Sequence, residues 1–244
     1  MVTISAVLPA YNEEALIAET VASVVAALQE LAEDYEVIVV NDGSRDRTAA
    51  VVERIAQENP RVRCVSHAVN MGYGAALATG FGAATHELVF LTDGDKQFDV
   101  RELARFLPLI EHADLVIGYR SPRRDPWLRC LNGWGWNLLV RLLFGYTARD
   151  VDCAFKLFRR DVLRDVRVHS RGATFSAEFL IKARRRGYRI VEQPVSHYPR
   201  MAGKATGARP AVILRAFREL LRLRLNLDAL PKDAVETASR NTVV

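Results

Sequence analysis

The chain has 244 residues, half of them hydrophobic and about a quarter charged, the composition of an ordinary globular protein with room for one sizeable α/β domain. Its three cysteines, Cys64, Cys130 and Cys153, are odd in number and widely spaced, which excludes a disulfide framework and a clustered zinc site and fits a reducing cytoplasm. The net charge of +5 hides an asymmetry: residues 1–119 hold 8 Lys/Arg against 18 Asp/Glu, whereas residues 120–224 hold 24 against 8. The basic half calls for an anionic partner, with nucleic acid, an anionic membrane surface and a phosphorylated substrate as the candidates.

The first 120 residues alternate strand-like and helix-like segments. Val2–Pro9 is a short apolar run, and Asn12 is placed to cap a helix from Glu13 to about Leu31. The β-branched run Tyr35–Val40 has the character of a buried parallel strand. Asp46 or Thr48 opens a helix that Asn59-Pro60 ends. A strand over Arg61–Ser66, a small-residue helix over Gly72–Ala84 and a strand over Glu87–Leu91 follow. Val100–His112 reads as a helix and Leu115–Gly118 as a strand. This alternation predicts a mostly parallel sheet with helices on both faces, whose ligands bind beyond the C-terminal strand ends. Beyond Arg120 the expected elements are a helix over Trp127–Phe144, a strand over Val151–Phe158, a helix over Ala173–Arg186 and a strand over Tyr188–Val195. A basic amphipathic helix over Pro210–Leu225 leads to a polar tail, expected to be flexible, over residues 228–244. No apolar run approaches the roughly 20 residues needed to span a bilayer, and the N-terminus lacks the pattern of a secretory signal.

The segment Phe90-Leu-Thr-Asp-Gly-Asp-Lys-Gln97 carries the sharpest chemical signal. Two carboxylates flanking one residue at a strand end can both face a hard divalent cation, and Gln97 offers a further oxygen. A solvated acidic turn is the competing reading. Asn41-Asp-Gly-Ser-Arg-Asp-Arg-Thr follows a strand and leads into a helix, where Asp42 can accept hydrogen bonds from a base or ribose, or merely close an Asx-type turn. Gly72-Tyr-Gly-Ala-Ala-Leu is a poor dinucleotide fingerprint and reads as close helix packing.

Taken in order, Leu8-Pro-Ala-Tyr-Asn-Glu, Val40-Asn-Asp-Gly-Ser-Arg-Asp-Arg-Thr, Asn70-Met-Gly-Tyr-Gly-Ala-Ala, Asp93-Gly-Asp-Lys-Gln, Asp152-Cys-Ala-Phe-Lys and Tyr198-Pro-Arg-Met-Ala-Gly-Lys resemble the family 2 glycosyltransferases of the GT-A fold. Within that family they resemble the dolichol-phosphate mannose synthase-like, or polyprenyl-phosphate glycosyltransferase, group. The resemblance implies a nucleotide-diphospho-sugar transferase domain, Rossmann-like, over residues 1–205. Residues 1–119 would form the nucleotide-sugar half and 120–205 the acceptor half, followed by a basic helix over 206–227. It implies that Pro9, Tyr11, Glu13 and Asp42 contact the nucleotide, Asp93 serving both donor and metal. It also implies that Asp93, Asp95 and Gln97 coordinate Mg²⁺ or Mn²⁺, and that Arg120, Arg129 and Arg200 hold phosphates. The reaction it implies is an inverting transfer of a hexose from GDP-mannose or UDP-glucose to a polyprenyl phosphate on the inner membrane face.

With a lipid phosphate as acceptor a catalytic base is dispensable. With a hydroxyl acceptor a base is needed, for which Asp152 is the first candidate and Glu178 the second, either of which could instead be a structural partner of nearby arginines. Departures from the family pattern fall mainly on the acceptor side. Asn41 replaces an aspartate, Ala154 a glycine, and Arg129-Cys-Leu-Asn-Gly-Trp lacks a serine. The competing functions are a soluble glycosyltransferase with a hydroxyl acceptor and a non-catalytic nucleotide or nucleic-acid binding module. No nucleic-acid partner is expected, because the basic run Arg184-Arg-Arg has no interleaved aromatics. The Trp127–Phe144 and Pro210–Leu225 helices either cover the sheet or lie in a lipid headgroup layer, with Trp127, Trp134 and Trp136 as anchors and Arg215, Arg218, Arg222 and Arg224 attracting anionic lipid.

Overall fold

A computed structural model describes residues 2–200 and 210–228. One seven-stranded sheet runs through the molecule in the order β3-β2-β1-β4-β6-β5-β7. The strands are β1 Thr3–Ala10, β2 Asp34–Asn41, β3 Val62–Ser66, β4 Leu88–Leu91, β5 Leu115–Arg120, β6 Lys156–Arg159 and β7 Ile190–Val195. All neighbours pair in parallel except β6, which lies antiparallel between β4 and β5.

The strands alternate their side chains between two cores, as period-2 geometry requires. Ile4, Ala6 and Leu8 of β1 face one layer, made by α1 Ile17–Leu31, α2 Thr48–Glu58, a 3₁₀ segment over Val100–Arg105 and α4 Leu107–Ile110. Val7 faces the other, made by α3 Tyr73–Ala83, α5 Trp127–Phe144, the short α6 Val162–Asp165, α7 Phe175–Arg185 and α8 Pro210–Asp228. Helices on both faces of a mostly parallel sheet are the architecture the alternation predicts. Residues 120–205, expected as an acceptor half, contribute β6 and β7 to the same sheet as residues 1–119.

Three local expectations are corrected. The helix expected at Glu13 starts at Ile17, and Asn12 caps nothing. Its Oδ1 instead accepts the Arg45 N–H at 2.8 Å while its own N–H donates to Ser44 Oγ, which ties the loops after β1 and β2 together. The helix expected over Val100–His112 is a 3₁₀ turn that passes into one α-turn. The apolar run Val151–Phe158 supplies a strand only from Lys156, because Phe155 turns inward onto Phe90 and Phe106, each with its ring centroid 4.9 Å away. That aromatic anchor fixes the turn before β6. Expectations for residues 228–244 concern 229–244, which lie outside the described residues, as do Met201–Arg209 with Lys204 and the start of the 206–227 segment. The side chain of Arg215 is likewise not described.

Candidate active site

The loops after β1, β2, β4 and β5 converge at the C-terminal edge of the sheet, where crevices form in open α/β folds. Parallel registry brings β1 beside β2 up to Ala10↔Asn41 and beside β4 up to Val7↔Leu91. Pro9 is buried at this rim, and its carbonyl oxygen lies 3.4 Å from where a Cβ on Gly94 would stand. Tyr11 is half-buried just beyond. The two loops are stitched by Glu13 N–H to Thr48 Oγ1 at 2.9 Å and by Arg47 N–H to Glu14 Oε2 at 2.8 Å.

Asp93 and Asp95 follow β4 directly. Lys96 takes φ +57°, an uncommon conformation for a lysine, so that the Gln97 N–H turns back onto Asp95 Oδ1 at 3.2 Å. Asp95 and Gln97 are buried, while Asp93 faces a crevice and accepts the Tyr73 hydroxyl at 3.2 Å. Burial and then the neighbouring Asp95 hold the Asp93 carboxyl well above the usual carboxylate range. Burial also raises Asp95, against the opposing pull of Arg200. Two crowded carboxylates of this kind are a set of hard oxygen donors whose repulsion a divalent cation relieves, so these residues fit Mg²⁺ or Mn²⁺. The Gln97 amide nitrogen donates to Tyr198 O at 3.0 Å, which leaves the amide oxygen as its group for a cation. Among the described residues no three His, Cys, Asp or Glu side chains form a complete cage. Hard cations in such sites commonly take their remaining ligands from substrate phosphates.

Arg200 lies between two of these carboxylates, donating from Nη1 to Asp95 Oδ2 at 3.1 Å and from Nη2 to Glu13 Oε1. Glu13, expected at the nucleotide, is thus part of the same cluster, its carboxyl raised by burial more than Arg200 lowers it. Asp42 belongs to a separate one. Its two oxygens accept the Met71 and Gly72 N–H groups, both at 2.8 Å, and His67 Nδ1 lies 2.7 Å from Oδ1. The carboxylate therefore folds the Asn70–Gly72 turn against β2, and only its remaining lone pairs are left for a nucleotide. Gly74 confirms the close-packing reading of this stretch, since a Cβ there would meet Ser170 O and Arg171 C at 2.8 Å.

Across the crevice stand the arginines. Arg120, at the end of β5, grips Asp150 with Nε at 2.6 Å and Nη2 at 2.7 Å. Its third nitrogen, Nη1, lies 3.6 Å from Asp125 Oδ2. Arg123 Nε and Arg129 Nη1 reach the same Asp125 carboxylate at 2.7 and 3.0 Å. Asp152 is open to the crevice but walled in by protein. Burial first, and then Asp150, push its carboxyl up to about 6, and Trp136 Nε1 donates to it at 3.2 Å. Trp136, expected as a membrane anchor, is half-buried and turned toward Asp152. Glu178 lies elsewhere: it accepts the His169 and Ser170 N–H groups and Lys182 Nζ. These bonds outweigh its burial and hold it at about 2, which makes it a poor base and a good structural anchor.

Asp125 and Asp150 were not singled out in the sequence, and Tyr73 and Lys156 entered only as members of longer motifs. Lys156 is fully buried behind the crevice, its Nζ capping the carbonyls of Val151, at 3.2 Å, and Cys153. For Asp150 a signal exists: Asp150-Val-Asp152 repeats the spacing of Asp93-Gly-Asp95.

Comparison with known proteins defines the class. The family model for glycosyl transferase family 2 matches residues 5–167, and the chain belongs to that family. Among curated relatives, the glycosyltransferase AglD of Haloferax volcanii is 34% identical over 82% of this chain and 34% of its own. The dolichyl-phosphate beta-glucosyltransferase ALG5C of Trichomonas vaginalis is 32% identical over 78% of this chain and 62% of its own. The undecaprenyl-phosphate 4-deoxy-4-formamido-L-arabinose transferase of Edwardsiella ictaluri is 30% identical over 83% and 62%. The chain thus spans a third to under two thirds of the length of these relatives. Among solved structures, glucosyl-3-phosphoglycerate synthase of Mycobacterium tuberculosis superposes with a TM-score of 0.68 at 23% identity, covering 94% of this chain and 81% of that one. The same enzyme in complex with Mn²⁺, UDP-glucose and phosphoglyceric acid gives 0.66 at 22%, again covering 94% and 81%. The fold is the GT-A fold that the motifs imply.

Proposed function

We infer that this chain transfers a hexose from a nucleoside diphosphate sugar to a polyprenyl phosphate at an anionic membrane surface. The observation that carries the reading is two clusters of opposite charge within electrostatic reach of each other, Arg120 acting on Asp93 and Arg129 on Asp95. Half-buried Asp93 and buried Asp95, which repel each other, make up one cluster, and Arg120, Arg123 and Arg129 the other. Curated relatives at about 30% identity are named for dolichyl and undecaprenyl phosphate acceptors, which supports the same reading.

Asp93, Asp95 and Gln97 would hold Mg²⁺ or Mn²⁺, which supplies Lewis acidity and neutralises the diphosphate leaving group. Pro9, Tyr11, Glu13 and Asp42 frame the nucleotide end, with Asp42 acting chiefly through the turn it folds. Arg200, already between Glu13 and Asp95, is placed to follow charge as it moves onto the diphosphate. Arg120 and Arg129 orient the acceptor phosphate. A phosphate oxygen is anionic at neutral pH, so positioning and electrostatics dominate and no proton need be removed.

The membrane part of the reading rests on two helix faces. Trp127, Leu131, Trp134, Leu138 and Leu142 of α5 form one exposed apolar stripe, with Trp127 77% and Leu142 74% exposed. Phe217, Leu221 and Leu225 form another on α8, beside exposed Arg218 and Arg222. Apolar faces bordered by arginine suit the headgroup layer. Among the described residues no helix is long and apolar enough to cross a membrane.

One observation favours a second reading. Asp152, held near 6 and oriented by Trp136, has the properties of a general base for a hydroxyl acceptor. Transfer of label from GDP-mannose or UDP-glucose, with Mn²⁺ or Mg²⁺, into an extract containing polyprenyl phosphate separates the two. Label in the organic phase, lost in Asp95→Ala, supports the lipid phosphate. Label confined to the aqueous phase supports the hydroxyl acceptor.

A further inference from the structure

The Arg120–Arg123–Arg129 cluster is not open. Three nitrogens from three arginines converge on the two oxygens of Asp125, whose side chain is only 2% exposed. Arg120 has two of its nitrogens committed to Asp150, so Nη1, the one left, is the one that faces Asp125. Arg123 is seated over α5 by Gly133, where a Cβ would lie 2.3 Å from Arg123 Nη1. Asp125 itself stands immediately before the first turn of α5, where the helix end adds its own preference for an anion. Burial raises the Asp125 carboxyl, but Arg123 and Arg129 together more than offset this, so it is held ionised.

A second group in the same place has no partner. His197, 3% exposed and stacked edge-on against Phe98, has a buried Nδ1 with no hydrogen bond. Burial keeps the imidazole neutral, and it feels Asp125 and all three arginines. In the tautomer that carries its proton on Nδ1, this nitrogen is a donor that Asp125 leaves unused.

We propose that Asp125 is an internal stand-in for the acceptor's phosphate, holding the three arginines in place until a phosphate monoester displaces it. This rests on the lipid-phosphate reading above and adds to it a competitor within the chain. The charges agree with exchange. Three guanidiniums face the carboxylates of Asp125 and Asp150, so one positive charge is left over. A phosphate dianion in place of Asp125 makes the cluster neutral, and it offers three oxygens where the carboxylate offers two. A neutral prenol offers no such gain, so the exchange selects for phosphate as well as gating entry.

The test is titration calorimetry of the full chain with geranyl phosphate, and with geraniol as the control, for the native protein, Asp125→Asn and Asp125→Asn/Arg129→Gln. If Asp125 competes, Asp125→Asn binds geranyl phosphate about tenfold more tightly, as expected when a closed state of about 90% is removed. Geraniol binding stays unchanged, and the added Arg129→Gln abolishes the gain. Weaker or equal binding in a folded Asp125→Asn protein overturns the proposal and leaves the lipid-phosphate reading standing. Absence of geranyl phosphate binding in native protein and variant alike, with UDP or GDP still bound, removes both. Hydrogen exchange on the native chain gives a readout that does not depend on a variant folding. Displacement makes the backbone amides of residues 123–125 exchange faster when geranyl phosphate is added, whereas slower exchange there contradicts it.

Discussion

The two halves of the sheet handle charge in opposite ways. In the first half carboxylates are in excess, and the chain satisfies them locally. Glu36 takes hydrogen bonds from Ser5, Thr85 and Arg63, and Asp42 from two backbone amides. In the second half arginines are in excess, and Asp125 and Asp150 are asked to hold three of them. Of the other arginines, Arg218 and Arg222 border the exposed apolar face of α8. A buried carboxylate met by backbone N–H groups is finished structure, whereas a clustered surplus of guanidinium favours an outside anion. Asp93, Asp95 and Glu13 depart from that pattern: burial holds their carboxyls raised, and Arg200 of the second half reaches two of them.

Removing one of that pair has the largest expected effect. Asp95→Ala lowers sugar transfer at least about 100-fold, the usual scale for losing one preorganised electrostatic group, while the fold persists. Steady-state assays together with circular dichroism check this, and near-native turnover would place the metal site elsewhere.

Next comes a carboxylate that the comparison assigns to structure alone. Glu178→Gln costs about 2–3 kcal/mol of stability at pH 7, because its carboxyl lies near 2 rather than the ordinary value of 4.5. The sign follows from that depression. The stabilisation is complete above about pH 4.5 and is lost as the pH falls toward 2. Urea unfolding at pH 7 and pH 3 should show native and variant converging at the lower pH. A constant gap between them would mean that the charge of Glu178 is not what stabilises the fold.

The smallest effect concerns the exposed stripe. Trp134→Asp in α5 leaves stability within about 0.5 kcal/mol, as for other surface positions, yet weakens sedimentation with anionic vesicles several-fold. Unchanged vesicle binding with intact folding would return α5 to the role of a simple cover for the sheet.

The same contrast explains what was legible in the sequence. β1, β2 and β4 are short β-branched or apolar runs ending in turn residues, and buried parallel strands leave that mark. The run from Val151 to Phe158 carries the same mark for another reason. Phe155 is apolar because it enters an aromatic core, and the chain turns there instead of extending. Hydrophobicity alone does not distinguish the two. At the site, Asp93, Asp95 and Gln97 were readable because they share one loop, and Arg200 from its motif. The pairing of Arg120 with Asp150 spans 30 residues and that of Arg200 with Glu13 spans 187, separations that leave no local spacing to read. The contact of Trp136 with Asp152, 16 residues apart, was equally out of reach, since a helix stripe shows only which residues share a face.

On the reading proposed above, the basic half receives a phosphate. The most direct test is an acceptor pair matched in everything else: a short-chain prenyl phosphate and the corresponding prenol, offered with the active donor and Mn²⁺. A phosphate-directed site puts label on the phosphate and none on the alcohol, and it loses little transfer in Asp152→Asn. Transfer to the alcohol, abolished by Asp152→Asn, would contradict it and make this a base-dependent transferase acting on hydroxyl groups.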